Sequence, residues 1–326
     1  EEFGRLTDDR SYQKNPSLLS AAKQGHNDIV KSLLDYGLKL DTEGYEQYTA
    51  CMLAASHGHT QVVATFLDRG MDINAINSNG ETILMAAAKT GQNRMVLTLL
   101  DLGADISIQD NAGYTALMWA VLAGQLKNIV TLIKHGADIE QKNNRGEAAL
   151  LIAVYYDREE ILNILLKNHA NPNLQDYRGM SALMASAEKG SNAMVLRLLK
   201  EGADVNHMGG RDERTALMIA ASKGHNDVVL SLLEHDADAD IPYTETQTAL
   251  TLAVWQGNEN VVKSLLNHNA DPAHATRTAI VFARNDMLKL LLDLGVEPDM
   301  RGYILDFDDR NCSALLYSAD KGMEVT

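Results

Sequence analysis

The feature that most constrains this chain is a recurrence. Residues 80–111 read GETILMAAAKTGQNRMVLTLLDLGADISIQDN, and residues 113–143 read GYTALMWAVLAGQLKNIVTLIKHGADIEQKN. Periods of 20–50 residues belong to stacked units, each of which buries its apolar side only against its neighbours. Equivalent positions fall at Pro16, Thr49, Thr82, Thr115, Ala148, Ser181, Thr215, Thr248, Thr278 and Ser313. The spacing is 33 residues as far as Ser181, then 34, 33, 30 and 35.

One unit is readable from its own chemistry. Thr82 is a helix N-cap, because its hydroxyl can accept an otherwise unpaired backbone N–H. The stretch Ile83 to Lys89 is small and apolar, so this helix can approach its neighbours closely. Gly91 breaks it. Met95, Val96, Leu99 and Leu100 then form one face of a second helix. Gly103 stands just past that helix, where a left-handed residue costs glycine little. Asp105 to Gly113 is rich in Asp, Asn and Gly, the composition of a projecting turn.

This unit resembles the ankyrin repeat, whose pattern runs D-x-x-G-x-T-P-L-H-x-A-A-x-x-G-H, then Val-Val and Leu-Leu, then G-A-D. The resemblance covers about Pro16 to Gly322. It implies an all-α ankyrin-repeat solenoid of nine helix-turn-helix units and the start of a tenth. It also implies a binding module whose partners meet a concave side made of projecting turns and first-helix ends.

On this reading residues 16–326 form one repeat domain, preceded by an irregular segment or cap at residues 1–15. The fifth unit replaces the mid-unit glycine with Asp157 and the closing glycine with His169. The seventh carries a one-residue insertion within 207–214 and Glu213 at its turn glycine; Thr246 stands at the equivalent place in the eighth. Turns there are expected to differ in shape. The ninth unit, from Thr278, lacks roughly one turn of its first helix, and the segment after it, Val296 to Asn311, is longer than its equivalents. The stop at Thr326, before a full second helix, points to a piece of a longer protein.

Composition excludes more than it selects. The net charge of −15 disfavours nucleic acid and anionic membranes, since phosphate binding rests on Lys and Arg. A partner that is basic or apolar at the contact is favoured. No stretch is long and apolar enough to span a membrane, and no signal-peptide order opens the chain. Cys51 and Cys312 lie about eight units apart, too far to pair, which fits a reducing, cytoplasmic setting.

Catalytic and metal chemistry find no constellation, so neither a catalytic residue nor a cofactor is expected. Met52, Met85, Met118, Met184 and Met218 stand where the family has a bridging histidine; they fill core space and are not expected to tie units together. His26, His59 and His225 occupy helix entries. His57, beside His59, is free to face a partner, and His268 and His274 lack the converging ligands zinc needs. Asn74 and Asn206 resemble ankyrin asparagines that can be hydroxylated, although asparagine also serves the turn.

Carrying the family's binding side over by register gives two tracks. The turn track is Tyr48, Glu81, Tyr114, Glu147, Met180, Arg214 and Gln247. The helix track includes Lys89, Leu122, Tyr155, Tyr156 and Trp255. Aromatic residues are 5% of the chain, so the grouping of Tyr114, Leu122, Tyr155, Tyr156, Tyr177 and Met180 marks the expected contact, with Trp255 as a separate candidate. Trp119 is expected to be half-buried and is set aside. The expected function is non-enzymatic recognition of a protein. A regulatory arm of a larger enzyme or channel, and a pathogen effector acting on host proteins, are the alternatives.

Overall fold

The computed structural model describes residues 16–36, 45–244 and 247–297. The segment 1–15, Thr246, Cys312, the unit from Ser313 and most of Val296 to Asn311 lie outside the described residues. Among the described residues there are 18 α-helices and no strands. The helices fall into two compact units, with the boundary between Asn171 and Pro172.

The first unit holds five helix pairs: α1 (Pro16–Gln24) with α2 (Asn27–Asp35), α3 (Tyr45–Ser56) with α4 (Thr60–Asp68), α5 (Ile83–Lys89) with α6 (Asn93–Asp101), α7 (Ala116–Ala123) with α8 (Leu126–Lys134), and α9 (Ala149–Tyr155) with α10 (Glu159–Lys167). The second holds four: α11 (Ala182–Lys189) with α12 (Asn192–Lys200), α13 (Ala216–Lys223) with α14 (Asn226–Leu233), α15 (Ala249–Gln256) with α16 (Glu259–Asn267), and α17 (Ala275–Val281) with α18 (Asn285–Asp293). Within each unit the first helix of one pair packs on the first helix of the next, as in α5 on α7 and α13 on α15. This is an all-α repeat solenoid.

The packing follows from side-chain size. Ala87, Ala88, Ala120 and Ala153 are fully buried on the first helices, where only a methyl fits between close backbones. Leu99, Leu132 and Leu165 supply the bulk on the second helices and are equally buried. Thr82, Thr115, Ser181 and Thr215 cap the first helices, each hydroxyl accepting the N–H three residues on at 3.2–3.3 Å. Each such cap contributes about 1 kcal/mol.

A second set of bonds ties successive pairs. After several of the mid-unit glycines the next residue reaches back to the first helix of the preceding pair. His59 Nε2 donates to the Lys23 carbonyl at 2.9 Å, His225 Nε2 to that of Glu188 at 3.2 Å, and Asn258 Nδ2 to that of Ala221 at 2.8 Å. Gly91 shows why glycine stands there. Its φ is +80°, and a Cβ would meet Gln125 Oε1 at 2.5 Å.

The irregular units resolve differently, and one expectation, the shortened first helix of the ninth, is corrected. Asp157, His169 and Glu213 adopt the left-handed backbone of the glycines they replace, with φ of 56°, 65° and 47°. The turn geometry thus persists at Asp157 and His169 at a cost of about 1–2 kcal/mol per residue. In the seventh unit the turn does differ, being closed by paired bonds between the backbones of Gly209 and Arg214. In the ninth, the lost residues come from the projecting turn and not from the first helix. From the closing position Asn269 to the next mid-unit position Ala283 the chain takes 14 residues, against 21 from Gly103 to Gly124. Helix α17 accordingly starts at Ala275, before Thr278.

Methionine also does more than fill space. Met85, Met118, Met184 and Met218 are buried, yet Met85 Sδ accepts the Thr82 N–H at 3.4 Å. Met52 Sδ accepts from Asn77 Nδ2, in the turn of the following unit, at 3.5 Å.

Candidate functional site

The projecting turns are shaped by one device. Asn77, Asp110, Asn143 and Asp176 occupy equivalent positions, and each side-chain Oδ1 accepts two backbone N–H groups. For Asp110 these are Ala112 at 2.9 Å and Tyr114 at 2.8 Å; for Asn143 they are Arg145 and Glu147. Such Asx turns fold the backbone locally without help from a sheet. Each one anchors the N–H of the turn-track residue: Glu81, Tyr114, Glu147 or Met180.

In the first unit the chemistry gathers around Trp119, on α7. Its indole Nε1 donates to Asp110 Oδ2 at 2.9 Å. Its ring meets the Tyr114 ring at a centroid distance of 5.2 Å, tilted by 37°. The Lys89 ammonium, from the last turn of α5, lies 3.9 Å from the Trp119 ring centroid. The same ammonium is 3.9 Å from Glu81 Oε1, at the long limit of an ion pair. Tyr114 is half-buried, and burial pushes its phenol above the usual tyrosine range; the Glu147 carboxylate and the Tyr156 phenol nearby add to this.

The expected contact residues divide between the two units. In the first, Tyr114, Leu122 and Tyr155 are half-buried, and Tyr156 is 45% exposed. Tyr155 ends α9 and Tyr156 caps it, just before the left-handed Asp157. In the second, Met180 is half-buried and Tyr177 is 73% exposed on its turn. Trp255, at the end of α15, is 39% exposed and meets the Phe282 ring at 5.3 Å. These two rings, with Leu252 and Val281, wall a cleft of about 220 Å³ that also touches His274 and Arg277. The cleft opens where the ninth unit lacks its projecting turn.

Two turn-track assignments are overturned. Tyr48 lies inside α3, is only 5% exposed, and its hydroxyl donates to the carbonyls of Ala75 and of Glu81, the latter at 2.8 Å. The helix starts four residues before Thr49, which turns this tyrosine inward. Glu147 is buried, with Oε2 accepting from Asn143 Nδ2 at 2.7 Å. Sequence reasoning missed Trp119, Phe282 and Val281. The first is half-buried, as expected, and was set aside for that reason. The other two were hidden by a register set at Thr278.

The remaining sequence candidates have structural partners. Asn74 and Asn206 each accept the backbone N–H of the next turn, Asp105 and Asp238, at 2.8 Å. His57 bonds locally through Nδ1 to the Leu53 carbonyl. Cys51 is buried, which pushes its thiol up to about 12. Among the described residues no three His, Cys, Asp or Glu side chains gather as a metal site, and no helix is long and apolar enough to cross a membrane.

A family model for ankyrin repeats matches residues 18–110, 72–143, 107–176, 150–245 and 183–276. The chain belongs to the ankyrin-repeat family. Ankyrin repeats are protein–protein interaction modules and are typically non-enzymatic. Among curated proteins, none matches the chain significantly.

Proposed function

We propose that this ankyrin-repeat chain binds a protein partner, and that the surface around Tyr114, Trp119, Leu122, Tyr155 and Tyr156 in the first unit is a principal contact. The observation that carries this reading is an aromatic group spread over turn and helix, part anchored and part exposed. Trp119 and Tyr114 are held by Asp110 and by each other, while Tyr156 stands 45% exposed beside them. Large aromatics held in place bury much area on binding and lose little side-chain freedom, which is the character of interface hot spots. Trp255 and Phe282 form a second, independent aromatic contact in the second unit.

The partner is basic or apolar where it touches this surface. Net charge of −15 steers cationic segments toward the chain. The test is affinity capture with the chain, compared with a Tyr155→Ala, Tyr156→Ala double variant of unchanged helicity. Partner binding weakens by about 2 kcal/mol or more; equal affinity for the two proteins in a binding titration would remove this surface as the contact.

A further inference from the structure

Lys89 occupies an unusual place. Its side chain is only 18% exposed, and its ammonium sits over an indole face opposite a carboxylate that is 13% exposed. The carboxylate contact is the loose one. The ion pair is 3.9 Å long, and Glu81 already accepts from Asn77 Nδ2 through its other oxygen at 2.9 Å. The indole, by contrast, is fixed, because Asp110 takes its N–H and Tyr114 packs on it. A rigid aromatic face and a carboxylate within reach of the same ammonium are suited to receive a cation. The chain's own lysine fills the position without close hydrogen bonding.

We infer that the Trp119 face and Glu81 form a seat for an arginine side chain of a basic partner segment, with Lys89 as an internal placeholder that the arginine displaces. A guanidinium suits the seat better than an ammonium. It is planar, stacks on an indole, and can still donate an N–H to the Glu81 oxygen that Asn77 leaves open. Displaced, the Lys89 ammonium on its flexible stem returns to solvent, where hydration offsets the lost contact. The carboxylates of Asp110 and Glu147 lie near Tyr114, with Arg145 the cation beside them, and the acidic surplus of the whole chain opposes an acidic partner. This inference rests on the proposed binding role of the first unit and specifies the chemistry of the partner there.

The test uses the full chain labelled with ¹⁵N at its indole nitrogens, whose two signals are assigned with Trp255→Phe. It is titrated with a blocked Gly-Ala-Arg-Ala-Gly peptide and with the same peptide carrying neutral citrulline in place of arginine. The arginine peptide shifts the Trp119 indole signal to saturation and the citrulline peptide does not. Lys89→Met tightens arginine-peptide binding about threefold or more, and Glu81→Gln weakens it by a similar factor. No saturation, equal binding of the two peptides, or looser binding by both Lys89→Met and Lys89→Ala would overturn the seat. The two readings fail separately. A captured partner that still depends on Tyr155 and Tyr156, with a Trp119 signal indifferent to arginine, removes the seat and leaves the protein-binding surface in place.

Discussion

At the scale of single residues, the same side chain meets opposite fates according to its neighbours. Tyr48 and Tyr114 occupy one position of the repeat register. Tyr48 is buried because α3 begins early and its hydroxyl satisfies two carbonyls of the next unit. Tyr114 stays half-exposed because an Asx turn fixes its backbone outside the helix. Glycine has a similarly local logic. Gly91 and Gly103 are both left-handed, with φ of +80° and +88°, but an added Cβ meets Gln125 at Gly91 and nothing within 4 Å at Gly103. Both Gly→Ala changes therefore carry the backbone cost of about 1–2 kcal/mol. Gly91→Ala adds the displacement of Gln125 and its bond to the Lys89 carbonyl, about 1 kcal/mol more. Chemical denaturation of the two variants reads the difference; equal destabilisation would show that the close approach at Gly91 carries no weight.

At the scale of elements, the projecting turn is the unit that varies and the helix pair is the unit that persists. The turn before α11 depends on Asp176. Burial by itself would raise the pKa of this carboxyl, but the Met180 N–H and the Arg178 side chain and N–H outweigh it and hold the value below the usual carboxylate range. A carboxylate with a depressed folded pKa adds stability above its unfolded pKa of about 4 and loses it as pH falls through the lower folded value. Asp176→Asn keeps the turn's shape and removes the charge. The variant is less stable than the parent by about 1–2 kcal/mol at neutral pH, and the gap narrows as pH falls below about 4. Thermal melts across that range measure it; a gap that stays constant with pH would mean the charge is irrelevant. In the ninth unit seven residues of the turn are missing while α17 and α18 remain, and the cleft beside Trp255 lies there.

At the scale of the whole molecule, the surplus of acidic groups matters more than any one pair. Most ion pairs among the described residues are partly exposed, as in Arg69–Asp35 and Lys263–Glu259, and such pairs contribute about 0–1 kcal/mol each. A net charge of −15 opposes compaction through self-repulsion. Raising ionic strength from about 0.01 M to 0.15 M shortens the screening length from about 30 Å to 8 Å. The thermal midpoint rises with that change. A midpoint that falls with salt would show that attractive pairs dominate instead.

The period, the helix pairs, the caps and the acidic balance were all determined by the amino-acid sequence alone, because each depends on contacts within one unit or between one unit and its copy. Thr82, Thr115 and Ser181 declare their helices by hydroxyl chemistry, and buried rows such as Leu99 and Leu132 repeat with the period. Three of the expected contact residues, Tyr156, Tyr177 and Trp255, are exposed as that register places them. What only the tertiary structure decided lies where a side chain's partner comes from a different element. Trp119 sits at a half-buried position, yet its place among Asp110, Tyr114 and Lys89 depends on the turn before its helix and on the first helix of the previous pair. Phe282 joins Trp255 only because a seven-residue deficit falls in the turn and not in the helix. Periodicity records how often a unit recurs; which neighbouring atoms meet across two units depends on where each helix begins.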